Sequence, residues 1–297
     1  MSTMDVRRDA DFDHGPVRSG RGRGRWGRIA HAPLGWALVG LMGVGLVAGV
    51  TATGPGPVPV LGGVVAVGVY WVVMRRLARR ATPEIAWRGA GRQALLGSAI
   101  GLGFVAVSTL LIAAFGGYSF SWAHHAVAGT LTSVLAVQAG TALTEELMFR
   151  GVALQAIEQR WGSRVAVATT ALFFGAAHLA NPGATLWSGV AIATEAGVML
   201  GAAFLWRRSM WLAVGVHFAW NTTEQLLGVP VSGHTPDARL FSVRTSGWHL
   251  LTGGGFGLEA SVIPVVIGLL LAVPMFAAAR RAGNVVPARR ADRRNRQ

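Results

Sequence analysis

The chain has 297 residues, of which 52% are apolar and only 13% charged, far below the roughly 25% charged residues of an ordinary soluble domain. Its 27 basic residues are all Arg, outnumber the 13 acidic ones and give a net charge of +14; because they cluster between long apolar runs instead of lining an amphipathic face, they point to an anionic membrane surface and not to nucleic acid. The absence of Cys excludes a disulfide framework, a thiolate metal site and a cysteine nucleophile.

Residues 1–32 are polar and rich in Arg, Asp and Gly, and are expected to form a disordered basic cytoplasmic arm. Arg7 and Arg8 do not make a twin-Arg export signal, since Asp9, Asp11 and Asp13 follow them. Gly22, Gly24 and Gly27 match a dinucleotide fingerprint by letter, but no strand precedes them. With Phe12 and Trp26 as its only aromatic residues, the arm offers no stacking platform for bases.

The first apolar run, 33–53, is long enough to span a bilayer and lacks a cleavage site, so it is read as a retained helix. Seven further runs follow at 57–74, 94–115, 128–159, 164–180, 184–206, 210–228 and 258–279. The expected fold is therefore an all-α polytopic transmembrane helical bundle of about eight spans. Placing both termini in the cytoplasm of a bacterial cell membrane puts 25 of the 27 Arg on one side, leaving only Arg239 and Arg244 in an extracytoplasmic loop at 229–257. The expected organisation is thus N-terminal transmembrane helices over 33–127, a core over 128–228, the 229–257 loop, a last transmembrane helix at 258–279 and a basic cytoplasmic tail at 280–297. The 14 Arg of arm and tail are expected to draw the termini to anionic lipid. The pairs Gly45 and Gly49, Gly97 and Gly101, and Gly197 and Gly201 have the spacing that lets helices approach closely.

An ionisable group at the bilayer centre costs about 2.5 to 3.5 kcal/mol, so such groups usually face a cavity and act there. Glu145, Glu146 and Arg150 lie in the fourth run, Phe174 and His178 in the fifth, His217 and Asn221 in the seventh. Glu146 and Arg150, Phe174 and His178, and His217 and Asn221 are each four residues apart and share a helical face, whereas Glu145 is turned about 100° from Glu146. At 1.5 Å per residue, Glu145, His178, His217 and Asn221 all lie roughly 13 to 23 Å from the cytoplasmic turns. Singly, a His in an apolar helix is more often a packing residue, and a Glu with Arg four later a structural ion pair. Together they supply a base, a partner and oxyanion donors. Glu195 in the sixth run fits no such spacing, and either supports the site or hydrogen-bonds between helices. Glu224 and Glu259 are expected at the interfaces, and His124, His125 and His234 in loops.

The motifs Glu-Glu-x-x-x-Arg, Phe-x-x-x-His and His-x-x-x-Asn, in this order on separate spans, resemble the family of CAAX proteases and bacteriocin-processing enzymes. This family, also called Abi or CPBP, includes the prenyl-protein endopeptidase known as the Ras-converting enzyme. The resemblance covers about residues 128–228, with Arg207-Arg208-Ser209-Met210-Trp211 in place of the usual short polar turn before the third motif. It implies an intramembrane endopeptidase acting on a membrane-associated peptide or protein, with Glu145 as general base, His178 as its partner, Glu146 and Arg150 holding the geometry, His217 and Asn221 as oxyanion donors and Phe174 shaping the site. The family is often labelled metallo; Glu146, His178 and His217 are chemically able to hold zinc, but a glutamate-activated water explains the same residues with no cofactor. A prenylated tail is the family's best-known target, yet an all-Arg, Gly- and Ala-rich chain suggests a bacterial host in which leader processing, self-immunity or sorting are the open alternatives. Readings of another class are a proton- or ion-coupled transporter and a non-catalytic immunity protein.

Overall fold

The computed structural model describes residues 31–288. The predicted arm falls outside the described residues apart from His31 and Ala32, as does the tail beyond 288. Helix α1 (Pro33–Thr51) is followed by α2 (Val58–Leu77) and α3 (Ala90–Ala114). A run of 52 residues, Val127–His178, breaks at Gly162, whose φ of 81° and ψ of 169° no helix accommodates, so that it makes two passes, α4 (127–161) and α5 (163–178). After these come α6 (Leu186–Arg207), α7 (Met210–Leu227) and α8 (Val262–Arg281). The protein is an all-α, multi-pass membrane protein. Among the described residues six segments are long and apolar enough to cross a membrane by themselves; the break at Gly162 and the more polar α7 account for the difference from the expected eight.

Large apolar side chains cover the outside of the bundle: Leu38, Met42, Leu46 and Val50 on α1, Leu172 and Phe173 on α5, and Leu270 and Val273 on α8 are all exposed. Soluble proteins do not leave such bands uncovered, whereas a hydrocarbon solvent removes the cost. The interior is held by close backbone approach. A Cβ on Gly97 would stand 2.2 Å from the Leu212 carbonyl oxygen, one on Gly101 2.3 Å from that of Val216, and one on Gly215 2.3 Å from that of Ala94. Helices α3 and α7 thus touch backbone to backbone and share the most extensive helix contact of the bundle, which fixes the rotation of α7. On the other side of the site, α5 and α6 meet through Gly175, whose Cβ would lie 2.2 Å from Gly189 O, and Gly197, 2.6 Å from Ala171 Cα. Gly45 and Gly49 do not work this way, since a Cβ on Gly49 would meet nothing within 4 Å.

The 229–257 segment is more than a loop. Its strand β2 (Phe241–Thr245) pairs antiparallel with β1 (Tyr118–Trp122) of the α3–α4 connection, Tyr118 Oη donates to Thr252 O at 2.5 Å, and Gly257, at φ 108°, leaves no room for a Cβ beside Pro230. The segment ends in a 3-10 turn at Leu258–Ala260, so α8 begins at Val262 and not at 258. This folded cap buries Glu224 and Glu259, 0% and 2% exposed, which corrects their expected interfacial placement: both stand at helix ends in sequence, but the cap closes over them. At the opposite end, Arg208 pairs with Glu158 at 2.7 Å, and Val286 exchanges hydrogen bonds with Ser163 beside the Gly162 break, so the first residues of the predicted tail are docked.

A Gly101→Leu substitution forces α3 and α7 apart and is expected to destabilise the bundle by about 1 to 3 kcal/mol or more, whereas Gly103→Leu, where a Cβ meets nothing within 4 Å, is expected to be neutral. Thermal unfolding of both variants in detergent checks this contrast.

Candidate active site

Glu145 and Glu146 occupy the last turn of the regular part of α4, and the chain then widens into a π-helical stretch at Leu147–Ala153 that carries Arg150. Single π-turns interrupt the helical ladder and recur at functional sites. Glu146 is fully buried, and its Oε1 accepts from Arg150 Nη1 at 2.8 Å and from His217 Nδ1 at 3.0 Å. Arg150, 1% exposed, also donates through Nη2 to the carbonyls of Ala196 and Gly197 at 2.9 and 3.4 Å, and its guanidinium carbon stands 5.1 Å from the centre of the Phe174 ring. One ion pair of α4 therefore touches α5, α6 and α7.

The neighbouring imidazoles acquire defined tautomers from these bonds. With Nδ1–H of His217 donated to Glu146, its Nε2 is an acceptor and takes the Asn221 amide at 3.2 Å. His178 donates Nδ1–H to the Phe174 carbonyl at 2.7 Å, leaving Nε2 with a free lone pair, and its ring packs 4.5 Å from that of Phe174. Phe174 thus packs against both Arg150 and His178. Glu145 makes no direct hydrogen bond to either His; its Oε2 lies 3.9 Å from His217 Nε2, and its side chain is 25% exposed. That gap is too long for a hydrogen bond.

Glu145, His178, His217, Asn221 and Phe174 line a single cavity of about 1040 Å³, while Glu146 and Arg150 sit behind its wall. The sequence motifs are thereby brought together, with Glu145 nearest His217. Glu195 lies apart from them: it is fully buried and both its carboxylate oxygens lack a partner among the described residues, so it makes no interhelical hydrogen bond there. Among the described residues no three His, Asp or Glu side chains converge closely enough to hold a metal ion. Glu146 Oε1, the donor oxygen nearest His217, already carries two hydrogen bonds, and the Nδ1 atoms of His178 and His217 are both engaged.

Sequence reasoning missed part of the wall. Glu259, Ser232 and His234 of the cap line the cavity, as do Gln138 and Gln225, which bond each other at 2.6 Å. Glu259 lies outside the last span; burial raises its carboxyl above the usual carboxylate range, against two hydrogen bonds from Ser232 that lower it. The one signal available for it was an acid at the edge of an apolar run, which read as interfacial.

Removing Arg150 leaves Glu146 buried without its counter-charge, and an Arg150→Met variant is expected to lose about 3 to 5 kcal/mol of stability. Adding Glu146→Gln should restore part of it, as unfolding of the two variants in the same detergent will measure.

Compared with known proteins, residues 127–223 match the family model described as Type II CAAX prenyl endopeptidase Rce1-like. No curated protein and no solved structure matches the chain. The matched stretch holds Glu145, Glu146, Arg150, Phe174, His178, His217 and Asn221, the residues that the structure gathers round one cavity and its supporting ion pair. The similarity to type II CAAX prenyl endopeptidases of the Rce1-like kind is carried by residues 127–223, the motif-bearing core of this membrane protein.

Proposed function

We propose that this protein is an intramembrane endopeptidase that hydrolyses a peptide bond in a membrane-associated protein or peptide. The family match supports CAAX-type protease activity in general. The observation that carries the finer reading is the placing of Glu145, His178, His217 and Asn221 on the wall of one cavity. In the proposed reaction Glu145 and His178 hold a water molecule, and Glu145 takes its proton as the oxygen attacks the scissile carbonyl carbon. Negative charge then develops on the carbonyl oxygen, where Asn221 Nδ2–H donates and, with Nε2 protonated and released from the Asn221 amide, an imidazolium form of His217 donates beside it; the Glu146 carboxylate at Nδ1 offsets the charge of that imidazolium. As the carbon–nitrogen bond breaks, Glu145 returns the proton to the leaving amine.

The reaction proceeds in this reading without a metal, on the protein's own acids and imidazoles. Burial supports a membrane-embedded substrate, because a soluble loop does not reach such depth. The remaining parts of the reading follow from composition and charge: the all-Arg, Gly- and Ala-rich chain supports a bacterial cell membrane, and the placing of its Arg supports both termini on the cytoplasmic side, anionic lipid bound by the basic termini, and no nucleic acid partner. The transporter alternative draws on the unpartnered Glu195, and an immunity protein would keep the fold without turnover.

With membrane-tethered peptides as substrates, Glu145→Gln is expected to slow cleavage by about 10² to 10⁴ and Asn221→Ala by about 10² to 10³, with insertion and helical content unchanged. Wild-type activity that disappears with a chelator and returns with zinc alone would refute the metal-free mechanism. A wild-type protein that cleaves no peptide but carries an ion flux sensitive to Glu195→Gln would favour transport.

A further inference from the structure

The cavity differs from end to end. Leu41 and Met42 of α1, Met148 and Ile157 of α4, and Phe173 of α5 make one end apolar, whereas Ser232, His234 and Glu259 of the cap close the other. Ile157 stands 12 residues beyond Glu145 on the same helix, about 18 Å at helical rise, so the water-activating group lies between an apolar lobe and a polar one. Apart from the imidazoles of His178, His217 and His234, charge on this wall has one sign. Glu145 and Glu259 are its carboxylates, no Arg lines it among the described residues, and the chain has no Lys. Arg150 is committed to Glu146 and shielded by Phe174.

Glu259 is held firmly and left without a counter-charge. Its oxygens accept from Ser232 N at 2.6 Å and Ser232 Oγ at 2.9 Å, and it forms no ion pair among the described residues. It lines the same cavity as His217 and Glu145. Behind it stands Glu224, whose Oε1 accepts from the cavity-lining Trp220 at 3.0 Å and whose Oε2 has no partner. The polar lobe is thus a recess with acids on and behind its wall, no Arg among the described residues, and the imidazole of His234 as its one basic group. A free C-terminal carboxylate placed there would meet the Glu259 carboxyl, while a cation would find an acceptor and complete its pairing.

We infer that the polar lobe is a subsite for a cationic group of the substrate, a Lys or Arg side chain or a free peptide amine, with Glu259 as the specificity-determining acceptor. This rests on the endopeptidase reading and adds its substrate class: an apolar, membrane-seated stretch followed across the scissile bond by a basic residue at the cap.

The test uses the full chain in lipid nanodiscs and a set of acylated peptides that carry a photoreactive group and differ at one position by Lys, acetyl-lysine, norleucine or Glu, with that position moved along the peptide. Photolabelling in competition reads binding, and cleavage is read separately. At one register the Lys peptide is expected to label about tenfold more tightly than the acetyl-lysine and norleucine peptides, with the Glu peptide weakest, and Glu259→Gln is expected to remove the advantage while norleucine labelling stays within about twofold. Ser232→Ala, which loosens the cap and keeps the charge, should retain the preference; its loss there would reduce Glu259 to a fastener of the cap and overturn the inference. So would a wild-type protein that labels all four peptides equally at every register, a result that needs no variant to fold. Selective labelling without any cleavage would sink the endopeptidase reading and leave the subsite standing.

Discussion

The buried pair of Glu146 and Arg150 is the constraint on which the rest of the site depends. An ion pair taken out of water gains little for stability unless its remaining hydrogen-bonding capacity is also met, and here the surroundings meet much of it. Arg150 spends its second amino group on two carbonyls of α6 and its face on Phe174, and Glu146 spends a second bond on His217. Each of those partners belongs to a different helix, so the orientation of the pair and the packing of α5, α6 and α7 determine one another. The arrangement turns an electrostatic cost into a geometric specification. His217 is held at Nδ1 and must present Nε2 to the cavity, and His178 must stack where the Phe174 ring leaves room.

Much of this was legible in the sequence because two periodicities are strong in a bilayer. Apolar runs of about twenty residues mark passes through hydrocarbon, and an expensive polar residue at 3.6-residue spacing marks a shared face. The boundary expected between 159 and 164 coincides with the Gly162 break, although the helical run there is otherwise continuous. What was not legible depends on docking. Nothing in the hydropathy of 229–257 indicates that Phe241–Thr245 will pair with Tyr118–Trp122, since both strands are short and far apart in sequence. Without that pairing, Glu224 and Glu259 read as interfacial, and the cap wall of the cavity disappears from view. The order in which Glu145 meets the two imidazoles was equally hidden, for spacing within a helix gives a face and says nothing of which neighbouring helix that face approaches.

The glycines divide by what their backbones touch. Gly97, Gly101 and Gly215 bring carbonyl oxygens of one helix within reach of the Cα atoms of the other, a separation at which packing alone can hold helices together in a solvent as apolar as their side chains. Gly45 and Gly49 share the same spacing but face outward or an accommodating Met148. The motif therefore records permission to approach, and the neighbouring helix decides whether the permission is used. Where it is used, it lies against α7 and α6, the helices that carry His217 with Asn221 and the carbonyl acceptors of Arg150.

Two π-helical stretches, Leu147–Ala153 and Ala193–Val198, meet through Arg150, which belongs to the first and donates to Ala196 and Gly197 in the second. A π-turn departs from the regular i to i−4 ladder and is costly unless something outside the helix uses the groups it re-aims. Here each stretch supplies what the other needs. The widened turn of α4 carries a guanidinium, and the widened turn of α6 presents two carbonyl oxygens to receive it. Restoring regular helix in either would rotate its C-terminal half by about 100°, which would carry Arg150 away from Phe174 or the carbonyls away from Arg150. The irregular backbone and the buried charge are thus a single device, and the residues that face the cavity are aimed by it although Arg150 itself never reaches the cavity.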